Sequence, residues 1–270
     1  MHKLNQLSPS LPSDHRTDSV IPSLPDDLRE FAILLDVDGT ILDLAPTPRE
    51  VWVPKELRGV LTQLSEHTGG ATAFVSGRPI SELDLIFTPL QLPAVGGHGA
   101  EMRVRAGAVP GRPRIPPLES RIKRKFAEIA EAGPGIIIED KGYSLALHYR
   151  LAPEKEDIVL KAVAAICAGL PAASIELLPG KSMVEIKQVG FNKASGVREL
   201  MTYPPFAGRR PLFIGDDVTD ETVFAMLPEI NGLPIVVGRR VPGVEHCFDN
   251  PAEVRRWLGR LSGHDGAARS

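Results

Sequence analysis

The sequence predicts a two-domain α/β protein, a doubly wound parallel sheet carrying an inserted α+β unit, and three features lead there. Short unbroken apolar runs alternate with stretches of helical periodicity near both ends of the chain. Between them the order changes to helix, hairpin, helix, hairpin. Acidic and hydroxyl residues follow directly on several of the apolar runs, at the edge of an open sheet where ligands gather.

Taken in order, residues 1–27 form a leader: the first 25 hold four prolines and five serines without apolar periodicity. Residues 31–35 read FAILL, a short apolar run suited to a strand covered on both faces. Over 54–67, Leu57, Val60, Leu61 and Leu64 fall at helical spacing behind a proline, and Gly69 and Gly70 end the helix. A strand over 71–75, a helix after Pro79 and a strand-like run at 92–95 continue the alternation.

Near residue 103 a loop with Pro110, Pro113, Pro116 and Pro117 leads to a helix bearing Ile122, Phe126 and Ile129. Residues 135–139 and 143–150 read as a hairpin closed through Lys141 and Gly142. A helix over 153–168 follows, then a second hairpin of 174–178 and 183–187 turning through Pro179, Gly180 and Lys181. After Asn192 the first pattern returns, with a helix over 193–201, strands at 212–214 and 235–237, and a helix after Thr219. The expected division is a core of 28–102 and 190–262, an inserted α+β cap of 103–189, and a flexible tail of 263–270.

Composition sets bounds on function. The 270 residues are 43% hydrophobic and 24% charged, enough to bury a full core. Net charge is −3, with basic residues scattered, which disfavours nucleic acid as a partner. Apolar runs such as 136–138 and 162–167 are far too short for a bilayer span, so no membrane segment is expected. The polar stretch between Lys3 and Arg16 lacks the apolar centre of a secretory signal, and Cys167 and Cys247 are too few for a disulfide framework or a zinc cluster. A cytoplasmic protein is expected.

The strongest chemical signal is Asp36-Val37-Asp38-Gly39-Thr40, two carboxylates at the end of a buried strand. An aspartate attacks phosphorus only when its charge and the phosphate's are neutralised, which calls for a metal ion and donors nearby. The segment 215–221, with Asp216, Asp217 and Asp220, offers hard oxygen ligands for Mg²⁺. Ser76, Gly77 and Arg78 end the second strand, where a hydroxyl and backbone N–H groups suit a phosphoryl group. Lys193 begins a helix and adds an ammonium to that helix's N-terminus.

On these four motifs, in this order, the chain resembles the haloacid dehalogenase superfamily of phosphohydrolases over about residues 30–260. The resemblance implies a Rossmann-like core in which Asp36 is the nucleophile and Asp38 the acid and base. Asp36, the carbonyl of Asp38 and Asp216 then hold Mg²⁺, while Thr40, Ser76, Gly77 and Lys193 hold phosphate. Asp217 and Asp220 support the metal ligands or Lys193. The segments 96–101, 139–142 with 148–150, 180–186, and 215–221 continued through Phe224 are similar to those of trehalose-6-phosphate phosphatases. They imply trehalose 6-phosphate as the substrate, with Arg78, His98, Gly99, Glu101, Lys141, Arg150, Lys181 and Glu185 as its contacts, and a functional link to a trehalose-phosphate synthase. Gln188 and Val189 depart from the proline-containing link expected there. Related enzymes acting on sucrose phosphate or on mannosyl- or glucosyl-3-phosphoglycerate, and an inactive regulatory domain that binds sugar phosphate, are the alternatives; intact Asp36, Asp38, Lys193 and Asp216 argue against the last.

Overall fold

A computed structural model describes residues 21–25, 27–45, 50–111, 115–131, 133–170, 175–180 and 182–263. Most of the expected leader and tail lies outside these residues, as does Lys181. The first half of the main unit contains β1 (Phe31–Leu35), α1 (Leu57–His67), β2 (Thr72–Val75), α2 (Ile80–Phe87), β3 (Ala94–Gly96) and β4 (Glu101–Arg103). A second unit follows with α3 (Ser120–Glu131), β5 (Ile137–Asp140), β6 (Ser144–His148), α4 (Glu156–Ala168), β7 (Ile175–Gly180) and β8 (Met183–Gln188). The chain then returns to the first unit through α5 (Lys193–Leu200), β9 (Arg210–Gly215), α6 (Glu221–Met226), β10 (Leu233–Val237), β11 (His246–Phe248) and α7 (Pro251–Leu261).

The main sheet runs β11-β10-β9-β1-β2-β3-β4, parallel throughout except for the β3–β4 pair. β1 lies near its middle, and all five of its residues are buried. Side-chain alternation sends Phe31, Ile33 and Leu35 toward α1, α2 and α7, and Ala32 and Leu34 toward α5 and α6. That double covering explains why FAILL is apolar at every position.

The second sheet is antiparallel, β5-β6-β8-β7. Leu145, Leu147, Val184 and Ile186 pack beneath Ile122, Phe126, Val159 and Val163 of α3 and α4. The alternate residues Ser144, His148, Met183, Glu185 and Lys187 take the opposite face. Lys187 is buried there: its ammonium meets Glu176 at 2.5 Å, donates to Phe191 O at 2.6 Å and lies 4.4 Å over the Phe191 ring. It thereby grips the link through Gln188 and Val189 that returns the chain to α5.

Several elements differ from expectation. The helix expected at 153 begins with a 3-10 turn, Pro153–Lys155, and becomes α4 only at Glu156. Pro179 and Gly180 belong to β7, and the reversal falls later, where Ser182 adopts φ 56. β4, β11 and α7 were not expected; α7 carries clear signals, an Asn250 cap and buried Val254, Trp257 and Leu258.

Candidate active site

The C-terminal ends of β1, β2 and β9 and the N-terminus of α5 meet at one point. Asn192 accepts the Ser195 N–H at 2.8 Å and starts α5 in a capping box, which leaves Lys193 as its first residue, buried and facing β1. Lys193 Nζ donates to Asp36 Oδ1 and to Asp220 Oδ1, each at 2.7 Å. Thr40 Oγ1 donates to Asp36 Oδ2 at 2.9 Å and approaches Asp216 Oδ1 at 3.4 Å. Gly39 makes this approach possible: its φ of +82° suits glycine, and a Cβ there would come within 2.1 Å of Asp216 Oδ2.

Oxygens of Asp36, Asp216 and Asp220 lie within 4.8 Å of one another. Burial pushes the Asp36 carboxyl up to about 7 against the pull of Lys193, with Asp220 and Asp38 adding to the rise. Asp220 is raised in the same way, by burial first. For Lys193, burial pulls downward, but Asp220 and Asp36 outweigh it and raise the ammonium's pKa. Two buried carboxylates thus share one ammonium, with Asp216 beside them, and the surplus negative charge and hard oxygen donors fit a divalent cation.

Asp38 faces a partner that the sequence did not indicate. Arg78 Nε and Nη2 donate to its two oxygens at 2.6 and 2.8 Å, a bidentate pair. Ser76 Oγ accepts the Arg78 N–H at 3.1 Å, so the 76–78 turn is closed on itself. Gly77 seats the His98 ring, since a Cβ on Gly77 would lie 2.5 Å from His98 Nε2.

His98, at φ 55°, points across to the second sheet. Its Nε2 lies 3.0 Å from Glu185 Oε1, and neither ring nitrogen makes an aligned hydrogen bond with the described residues. Glu185 also accepts from Ser144 Oγ at 2.5 Å and from Lys141 Nζ at 2.9 Å. Burial pushes the Glu185 carboxyl up, but His98, Lys141 and Ser144 prevail and hold it well below the usual range. Burial lowers His98 against the pull of Glu185. Glu139 and His148 form a second pair at 2.8 Å.

One cavity brings together Asp36, Asp38, Ser76, Gly77, Arg78, His98, Lys141, Arg150, Glu185, Lys193, Asp216 and Asp217. Arg150 Nη1 donates to Ala45 O, joining the second unit to the loop after β1. Glu139, His148 and Met183 also line this space, and the sequence reading did not single them out as contacts; their place on the polar face of alternating strands was the available signal.

Three residues expected to touch phosphate or substrate, Thr40, Gly99 and Glu101, are not among those lining the cavity. The Thr40 hydroxyl is committed to carboxylate oxygens, because the turn after β1 directs it inward. Glu101 accepts the Ile80 N–H at 2.8 Å, closing the start of α2, where Pro79 offers no side-chain cap. Gly99 allows close backbone approach, since a Cβ there would come within 2.4 Å of Asn192 O. Asp220 Oδ2 accepts the Asp216 and Asp217 N–H groups, each at 3.0 Å, in keeping with a supporting place. The Asp217 side chain accepts the Val218 N–H at 2.7 Å.

Residues 34–247 match the trehalose-phosphatase family. The chain is 39% identical over 232 residues to a Sinorhizobium fredii protein named "Probable trehalose-phosphate phosphatase", covering 86% of this chain and 87% of that one. It is 33% identical over 237 residues to the trehalose-6-phosphate phosphatase of Escherichia coli K12, with the same coverage. The C. albicans trehalose-6-phosphate phosphatase C-terminal domain shares the fold at a TM-score of 0.74 and 22% identity, over 92% of this chain and 99% of that one. A match running from the end of β1 through Asp36, the whole second sheet and the acidic loop after β9 leaves one assignment: the chain belongs to the trehalose-phosphatase family.

Proposed function

We infer that the chain is a phosphatase that hydrolyses trehalose 6-phosphate to trehalose and phosphate. The observation that carries this reading is Asp36, held between Lys193 and Thr40 at the floor of a cavity whose opposite wall is the Lys141–Glu185 face. An oxygen of Asp36 attacks phosphorus, the bond to the sugar oxygen breaks, and Asp38 delivers a proton to that oxygen. Asp38 then takes a proton from water, which attacks the aspartyl-phosphate and releases phosphate with Asp36 restored. Arg78 holds both Asp38 oxygens and so fixes the direction in which that carboxyl faces the cavity.

Mg²⁺ is the cation we assign to Asp36, Asp216 and the carbonyl of Asp38, since the donors are hard oxygens. When bound it neutralises charge on the phosphoryl group. Lys193 and the Ser76–Gly77 turn hold the phosphoryl oxygens, and Thr40 and Asp220 keep Asp36 and Lys193 in place.

Residues 103–189 act as the cap that selects the sugar, against a core of 28–102 and 190–262. Lys141, Arg150 and Glu185, with His98 from the core, present directional charged partners for sugar hydroxyls. Lys181 is assigned to the same wall on sequence alone. We place the chain in the cytoplasm, where Cys167 and Cys247 remain free thiols, and functionally downstream of a trehalose-phosphate synthase.

Phosphate release from trehalose 6-phosphate, sucrose phosphate and the two glycosyl-3-phosphoglycerates tests the substrate. The highest kcat/KM is expected for trehalose 6-phosphate, and a preference for another sugar phosphate would refute the assignment. Asp36→Asn should be inactive, and borohydride trapping of acid-quenched wild-type protein should label Asp36; full turnover by the variant would sink the mechanism.

A further inference from the structure

Arg239 belongs to none of the motifs above, yet its guanidinium grips the acidic loop. It follows β10 by two residues, and β10 lies beside β9 with Val236 opposite Gly215, so its side chain reaches over the loop that leaves β9. Nε donates to Asp216 O at 2.6 Å and Nη2 to Asp217 O at 2.8 Å, while Nη1 is anchored on Glu221 Oε1 at 2.6 Å. From the other edge, Asp220 Oδ2 accepts the N–H groups of the same two residues. The 216–217 backbone is therefore held by its carbonyls on one side and its amides on the other. From this fixed backbone the Asp216 carboxylate projects over Gly39 and within reach of Thr40. A planar guanidinium satisfies adjacent carbonyls in fixed directions, which an ammonium on a flexible stem does not.

We propose that Arg239 is a positioning residue for a divalent cation, fixing the 216–217 backbone so that the Asp216 carboxylate is aimed toward Asp36. This rests on the reading of Asp216 as a cation ligand. Partners that orient metal ligands typically contribute about 10- to 100-fold in metal affinity. The effect of Arg239 is thus exerted on cation affinity.

The test titrates Mg²⁺ calorimetrically into substrate-free protein and measures Mg²⁺ activation of phosphate release alongside. Asp216→Asn examines the underlying reading by itself: it should abolish measurable Mg²⁺ binding, and wild-type affinity in that variant overturns the reading whatever Arg239 does. Arg239→Ala should raise the Kd for Mg²⁺ by about tenfold or more, with the larger part of the activity loss recovered at saturating Mg²⁺. Arg239→Lys should fall between. A merely structural role would lower Tm without moving the Kd. Should Arg239→Ala fail to fold by circular dichroism, Glu221→Gln, which loosens the anchor and leaves Arg239 present, should raise the Kd by a smaller factor. Wild-type Mg²⁺ affinity in folded Arg239→Ala, or in Glu221→Gln where the alanine variant does not fold, overturns the proposal.

Discussion

Glu185 is buried among Ser144, Lys141 and His98, and its charge is what those partners address. Glu185→Gln keeps the shape and an acceptor but removes the charge, so contacts to sugar hydroxyls weaken while the floor of the site is untouched. A hydrogen bond involving a charged group contributes about 1.5–3 kcal/mol, so kcat/KM for trehalose 6-phosphate should fall about tenfold or more. Hydrolysis of p-nitrophenyl phosphate, which presents no sugar, should fall much less; equal losses on both substrates would remove Glu185 from the sugar site. His98 gives a second prediction. Its folded-state pKa lies below the unfolded value of about 6.5 because the ring is buried. As pH falls through that value the unfolded chain takes up a proton that the folded chain refuses, so stability drops. Between pH 7.5 and 5.5, urea melts should show wild-type protein losing more stability than His98→Gln, and equal losses would show that His98 does not titrate this way.

Residue by residue, what could be read early was what the local chain determines. Asp36, Asp38, Asp216 and Lys193 stand at strand ends or a helix start, and short-range patterns mark those places. The Arg78–Asp38 and Lys141–Glu185 pairs join distant parts of the chain, and no local pattern carries them. The resemblance puts Thr40 and Glu101 on the substrate, whereas the backbone around them directs Thr40 to carboxylate oxygens and Glu101 to the Ile80 N–H.

Among the elements, long amphipathic helices and apolar strands announced themselves, whereas three-residue strands such as β4 and β11 did not. Glu101-Met102-Arg103 shows no apolar run because β4 sits at the sheet edge, where Arg103 is fixed by Asp84 at 2.7 Å and by Leu92 O at 2.8 Å. α3 was legible from Ile122, Phe126 and Ile129, and all three are buried against β6 and β8. Phe126 is fully buried, so Phe126→Ala should cost about 3–5 kcal/mol through lost burial and the cavity left behind. Urea unfolding followed by circular dichroism should show a lower midpoint. A midpoint within error of wild type would mean that the helix–sheet layer collapses around the missing ring.

At the scale of the molecule, the change from one alternating pattern to another and back coincides with the chain leaving the seven-stranded sheet after β4, forming the four-stranded one and returning at β9. How the two units face one another was not legible, because it depends on side chains that meet only after folding: His98 against Glu185, Arg150 against Ala45, and Lys187 holding Phe191. The place of β1 in the sheet has a consequence for how the protein is made. Residues 33–35 pair on one side with 72–74, and residues 31–35 on the other with 210–214. While the ribosome is still translating the second unit, β1 has one neighbour and one bare edge, an apolar template for pairing with another nascent chain. Closing that edge waits on a contact of high sequence separation, the slow kind. The aspartate at the heart of the site is thus synthesised well before β9 and is enclosed only after β9 has emerged.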